Sequence, residues 1–103
     1  MEHLVFKALG DPTRRAIFEK LAQGPLNATQ LREGIPVSQP AMSQHLALLR
    51  EAGLIRQGRN GKYVDYEVEP GGILAIARWL ERYRAYWPAR VSDLRTLLKE
   101  MDQ

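Results

Sequence analysis

Ser38 to Ile55 reads SQPAMSQHLALLREAGLI, and the two faces of this stretch decide how the rest of the chain is read. Ser38 and Gln39 both carry side chains able to cap a helix, and Pro40 fits the first turn, where amides have no intrahelical partner. Gly53 ends the run as a residue that enters the left-handed C-cap conformation at no steric cost. Placed at 100° per residue, Ala41, Met42, His45, Leu46, Leu48, Leu49 and Ala52 fill one broad arc. Pro40, Ser43, Gln44, Ala47, Arg50 and Glu51 fill the other. Near its start this outer face carries short donors and acceptors in place of long paired charges. Ser and Gln hydrogen-bond base edges, the small Ala47 permits close approach, and helix N-terminal amides accommodate phosphate. Taken alone, the stretch fits an ordinary amphipathic surface helix as well as a helix entering a major groove. Its neighbours separate the two.

Upstream, Asn27 to Gly34 reads as a short helix in which Asn27 and Gln30 have capping-box spacing. Gly34 and Pro36 then supply a stop and a turn, which gives helix–turn–helix order. Downstream, Ile55–Arg59 and Lys62–Val68 flank Asn60-Gly61, a strong hairpin signal. Val64, Tyr66 and Val68 alternate with Asp65 and Glu67, so one face of that strand is expected to be buried. A basic tip, Arg59-Asn60-Gly61-Lys62, directly after a groove-entering helix is the plan of a winged helix–turn–helix. The expected fold is therefore mainly α, a winged helix–turn–helix with one two-stranded β-hairpin wing and terminal dimerisation helices. One domain spans residues 1–103, with the helix–turn–helix at about 27–53, the wing at about 55–68 and the C-terminal helices at about 73–102.

The runs SQP, SQHLALLREAGL and RNGKYVDYEV, within a region from about Ala8 to Val68, resemble the ArsR-type winged helix–turn–helix repressors. The resemblance implies a homodimer that binds an inverted-repeat operator in double-stranded DNA and represses transcription by occluding a promoter. In that setting Ser43 and Gln44 are expected to read base edges, while Ser38, Gln39 and Pro40 set the helix start against backbone or bases. Arg59, Asn60 and Lys62 place the wing on phosphates or in the adjacent minor groove. His45 falls within the apolar arc, so a half-buried ring with one nitrogen satisfied competes closely with a phosphate hydrogen bond, the role implied by the family motif.

Composition narrows the field further. At 103 residues the chain makes one small domain, and a domain of this size gains from burying more surface in a dimer. A net charge of +3 and an absence of cysteine favour a polyanionic partner and exclude disulfides, thiolate metal sites and cysteine nucleophiles. No apolar run approaches the roughly 20 residues that span a membrane, and MEHLVFKALG is too short in its apolar core for a secretory signal, so a cytoplasmic location is expected.

Before the helix–turn–helix, His3 to Leu9 reads as a short helix with Leu4, Val5 and Ala8 inward. Asp11-Pro12 starts a second helix carrying Ala16, Ile17, Phe18 and Leu21, which Gly24-Pro25 stops. Arg14, Arg15 and Lys20 on it read as a solvated face, with a phosphate contact near Arg14 or Arg15 as the second reading.

Metal-sensing members of the resembled family place two cysteines in the helix that begins the helix–turn–helix; here the matching positions are Asn27 and Thr29. Their other site needs carboxylates and histidines after the wing, where Ile73 to Trp87 holds a single carboxylate, Glu81, and no histidine. Both observations argue against metal sensing of either kind, and no cofactor is expected.

After Pro70-Gly71-Gly72, Ile73, Leu80, Trp87, Leu94 and Met101 recur every seven residues, with Ala77, Val91 and Leu98 in the seam. Ile76, Tyr83 and Leu97 widen the face, and the phase survives Pro88, as at a kink or a tight junction between helices. Ile73, Leu80, Tyr83, Trp87, Val91, Leu94 and Leu98 are the expected dimer interface. Trp79, Tyr83, Tyr86 and Trp87 read first as interface packing and second as a pocket for a small-molecule effector. The run WLERYRAYW is similar to metal-free, SdpR-like members of the family. Two other functions stay open at this level: a winged-helix protein–protein module, and a small-molecule sensor built on the aromatic cluster. No Ser–His–acid set, paired-carboxylate site, Walker loop or dinucleotide fingerprint supports an enzyme.

Overall fold

In a computed structural model, which describes residues 2–84 and 87–101 (for residues 2 and 87–92 the backbone only), the elements follow the expected order. They run α1 (Glu2–Leu9), α2 (Pro12–Leu21), β1 (Leu26–Asn27), α3 (Ala28–Gly34), α4 (Gln39–Glu51), β2 (Ile55–Asn60), β3 (Tyr63–Val68), α5 (Leu74–Glu81) and α6 (Trp87–Met101). Local chemistry sets the helix starts. Asp11 caps α2 by accepting from the Arg14 N–H at 3.0 Å, with Pro12 in the first turn. Asn27 and Gln30 form a complete capping box on α3: each side chain accepts from the other residue's backbone N–H at 2.8 Å.

The core gathers the inward faces of α1 to α4 and the base of the hairpin. Val5 and Ala8 of α1, Ile17 and Leu21 of α2, Leu31 of α3, and Met42, Leu46 and Leu49 of α4 are buried together with Leu54 and Ile55. On α2, Ala16 is exposed, because it lies away from the side of the helix that Ile17 and Leu21 bury. Gly72 leans on the turn that ends α4, so closely that a side chain there would collide with the Gly53 carbonyl and Leu54 Cα. That contact seats the start of α5 against the winged body.

Three features of the sheet depart from the sequence expectation. The hairpin carries a third strand: β1 pairs antiparallel with β3, Leu26 opposite Tyr66 and Asn27 opposite Asp65, so the order is β1-β3-β2. Two residues are too short a run for alternation to reveal. The turn is also Gly61-Lys62 rather than Asn60-Gly61, since Asn60 pairs with Tyr63. Gly61 is at φ 64° and, among the described residues, none other than glycine has positive φ, the pattern of a turn with glycine in the first central position. In the observed register Arg59 faces Val64, and Arg56 faces Glu67, with which it forms an ion pair at 2.7 Å. Finally, burial of β3 is confined to its inner part: Tyr66 and Val68 pack on the core, but Val64 is exposed because the tip extends past the helices.

The C-terminal segment is two helices, α5 and α6, with Pro88 in the first turn of α6, where it interrupts nothing. Ala75 and Ile76 of α5 pack on the core, while no described residue of α6 belongs to it. The radius of gyration is 16.6 Å, against about 13 Å for a compact chain of this length.

Candidate nucleic-acid interface

Ser38, the N-cap of α4, turns its Oγ onto the Ala41 N–H at 3.2 Å, leaving Gln39 and Pro40 in the first turn. At the other end the Gly53 N–H donates to the Arg50 carbonyl (2.9 Å) and the Leu54 N–H to the Leu49 carbonyl (3.0 Å), with Gly53 at φ 75°. That double bond with a left-handed glycine is the Schellman arrangement, and it closes the helix where the sequence placed its end. Between these caps the two arcs separate as read from periodicity. Met42, Leu46, Leu49 and Ala52 are buried, and Leu48 lies at the edge of the arc, partly exposed. Ser38, Gln39, Pro40, Ser43, Gln44, Ala47, Arg50 and Glu51 are all exposed. No described residue hydrogen-bonds the side chains of Ser43 or Gln44, so both keep their full donor and acceptor capacity for a ligand.

His45 sits at the border of the arcs, half-buried, with its Nδ1 3.4 Å from Nη1 of Arg14. Arg14 is half-buried too, and its other donors reach the end of α1: Nε to the Ala8 carbonyl at 2.8 Å and Nη2 to the Lys7 carbonyl at 3.2 Å. The solvated-face expectation for Arg14 is therefore corrected; it ties α1 and α2 to α4. Periodicity misses such a residue because all three of its side-chain partners lie outside its own helix. Accepting the Arg14 backbone N–H holds the Asp11 carboxyl below its ordinary value, helped by the charge of Arg14.

The wing carries charge at both ends and uses it differently. At the base, Glu67 and Glu69 engage Arg56 at 2.7 and 3.4 Å, and chiefly the Glu67 hydrogen bond raises the guanidinium's pKa further. At the tip Arg59 and Lys62 are exposed, and neither has an acidic partner among the described residues. Lys62 Nζ lies 5.6 Å from the centroid of the exposed Tyr63 ring, an aromatic neighbour the sequence reading passed over. Asn60 differs from its basic neighbours. Its side-chain amide donates to Asp65 Oδ2 at 3.2 Å, so part of its hydrogen-bonding capacity serves the wing itself.

On the C-terminal helices, Ile73, Leu80, Tyr83, Leu94 and Leu98 are exposed. Trp87 and Val91 fall among the residues whose side chains are not described, and Tyr86 lies outside the described residues altogether. The aromatic cluster takes in Phe6 of α1, edge-on to Trp79 at 5.6 Å between centroids, with Trp79 tilted against Tyr83 at 5.2 Å. The described residues hold no group of three or more His, Asp or Glu able to bind a metal, and no helix among them is long and apolar enough to cross a membrane.

A capped helix with an open polar face, preceded by a short helix and a turn and followed by a basic hairpin, defines a winged helix–turn–helix DNA-binding protein. Residues 9–58 match the family model described as a helix-turn-helix domain. The chain is 44% identical over 78 residues to an HTH-type transcriptional regulator of Mycobacterium tuberculosis, Rv2034, covering 76% of this chain and 73% of that protein. It is 34% identical over 76 residues to the transcriptional repressor SdpR of Bacillus subtilis, covering 74% and 84% of the two chains. The structure is similar to that of an ArsR-like transcriptional regulator from Rhodococcus sp. RHA1, with a TM-score of 0.74 and 31% identity over 93% of this chain and 91% of that one. The chain belongs to the ArsR-type family of winged helix–turn–helix transcriptional regulators. Family and fold are those of DNA-binding regulators, not of enzymes.

Proposed function

We propose that this protein is a homodimeric cytoplasmic repressor that reads an inverted-repeat operator with α4 and grips the flanking backbone with its wing. The observation that carries the reading is the pairing of an open polar face on α4, Ser43 and Gln44 at its centre, with a wing tip whose Arg59 and Lys62 lack acidic partners among the described residues. Ser43 and Gln44 reach base edges, Ser38, Gln39 and Pro40 set the helix start against the backbone, and His45 donates to a phosphate. Arg59 and Lys62 supply counterion release, with Asn60 a lesser contact because Asp65 holds its amide. The second copy is needed because one winged domain touches too few base pairs to select a site in a genome. The exposed leucines of α6 support that half of the reading.

Selection from random duplexes followed by footprinting is the test, and an inverted repeat with half-sites about one helical turn apart is the expected product. On that operator Gln44→Ala should cost roughly 1–3 kcal/mol and relax preference at one base pair per half-site. Lys62→Ala should weaken specific and random duplex alike and flatten the salt dependence. Equal losses on both duplexes for Gln44→Ala would remove it from base readout. An absence of salt-dependent DNA affinity would favour the protein-module reading.

A further inference from the structure

Arg14 and His45 carry an inference beyond the assignment of α4 as the reading helix, although its last step rests on that assignment. An arginine side chain only donates, so a contact between its Nη1 and His45 Nδ1 at 3.4 Å requires the ring nitrogen to be the acceptor. In the neutral ring the hydrogen is then on Nε2. Nε2 has no hydrogen-bond partner among the described residues. Among the described residues no buried side-chain nitrogen or oxygen lacks a partner, and His45 is half-buried, so the unpartnered Nε2 is reached by solvent. The ring is thus held on its inner side and presents a donor on its outer side, on the helix whose neighbouring residue Gln44 is exposed.

The Arg14 guanidinium is itself fixed. Nε and Nη2 are committed to the Ala8 and Lys7 carbonyls, at 2.8 and 3.2 Å, in the last turn of α1. A planar fork held at two donors leaves the third little freedom, and a cation at a helix C-terminus is favoured by the helix dipole. We propose that Arg14 is a positioning residue that selects the Nε2–H tautomer of His45 and aims that N–H at a phosphate oxygen of the bound duplex. Arg14 does not touch DNA in this arrangement. It acts through His45, and it makes the end of α1 part of the support of the DNA interface.

Two measurements on the full chain test this, and they fail separately. Long-range proton–nitrogen correlation spectra of the histidine rings, taken in alkaline buffer without DNA, should show wild-type His45 as Nε2–H alone. In Arg14→Gln an Nδ1–H population should appear. Wild-type His45 carrying its hydrogen on Nδ1, or a tautomer unchanged by Arg14→Gln, would overturn the proposal; should that variant not fold, Arg14→Met is read in its place.

The second measurement is operator affinity. Arg14→Gln should lower it about tenfold, the worth of one hydrogen bond to a charged group. His45→Ala removes the ring donor and should lower affinity at least as much, and Arg14→Gln should then cost nothing further in that background. A tenfold cost that persists there would make Arg14 a direct DNA contact instead. A wild type that shows the Nε2–H tautomer but binds no duplex would sink the DNA reading and the phosphate step with it, while upholding Arg14 as the residue that sets the ring.

Discussion

α4 and α6 are both amphipathic helices of similar length, yet the chain treats their apolar faces in opposite ways. On α4, Leu49 is 0% exposed and Leu46 2%, while on α6 Leu94 is 49% and Leu97 53% exposed. The same residue type at the same helical spacing therefore says nothing by itself about what covers it. α4 lies within a ring of elements, α1, α2, α3 and the base of the hairpin, that together close over its stripe. α6 meets no such ring among the described residues. A helix whose apolar face is covered within the chain is stabilised by folding alone; one left open gains its stabilisation in association.

The largest expected effect separates the two helices directly. Leu49→Ala should cost about 2–5 kcal/mol of unfolding free energy, because it leaves a cavity in the core. Leu98→Ala, measured at concentrations low enough to keep the chain monomeric, should stay within about 0.5 kcal/mol, as an exposed site does. Sedimentation equilibrium should then show that Leu98→Ala weakens self-association while Leu49→Ala alters it only by unfolding the chain. Equal unfolding costs for the two variants would break the comparison.

A smaller effect tests whether α4 is held by its caps as well as by its buried stripe. Ser38→Ala removes the side-chain acceptor of the Ala41 N–H and should cost about 1 kcal/mol in chemical denaturation, with Ser38→Thr close to wild type. A loss from Ser38→Ala as large as that from Leu49→Ala would mean that the stripe contributes less to α4 than its burial implies.

The smallest effect is electrostatic and belongs to α2. The Asp11 carboxyl is held below 3.8 in the folded chain. A depressed folded value means that the stabilisation is complete above the unfolded value and is lost as pH falls through the folded one. Asp11→Asn keeps a capping side chain but lacks the charge, so it should be slightly less stable than wild type near neutral pH, and the acid limb of the stability curve below about pH 4 should become shallower. An acid limb identical to wild type would show that the cap, not the charge, is what Asp11 contributes.

The sequence by itself determined whatever rests on contacts a few residues apart. The faces of α4, its Ser38 and Gly53 ends, the Asn27–Gln30 box and the Asp11-Pro12 start are all set by interactions within about one helical turn, and periodicity and residue type express them directly. Helix–turn–helix order and the existence of the wing follow from those pieces laid end to end. The tertiary structure alone decided the rest. Strand register, which sets Asn60 opposite Tyr63 and puts the turn at Gly61-Lys62, departs from the local preference for Asn-Gly. The third strand at Leu26–Asn27 exists because β3 offers it an edge, and Arg14 became a tie between helices because Ala8 and His45, distant from each other in sequence, converge on its fork. The open stripe of α6 belongs to the same class: sequence pattern marks a face as apolar, but only packing decides whether the chain covers it or leaves it for another.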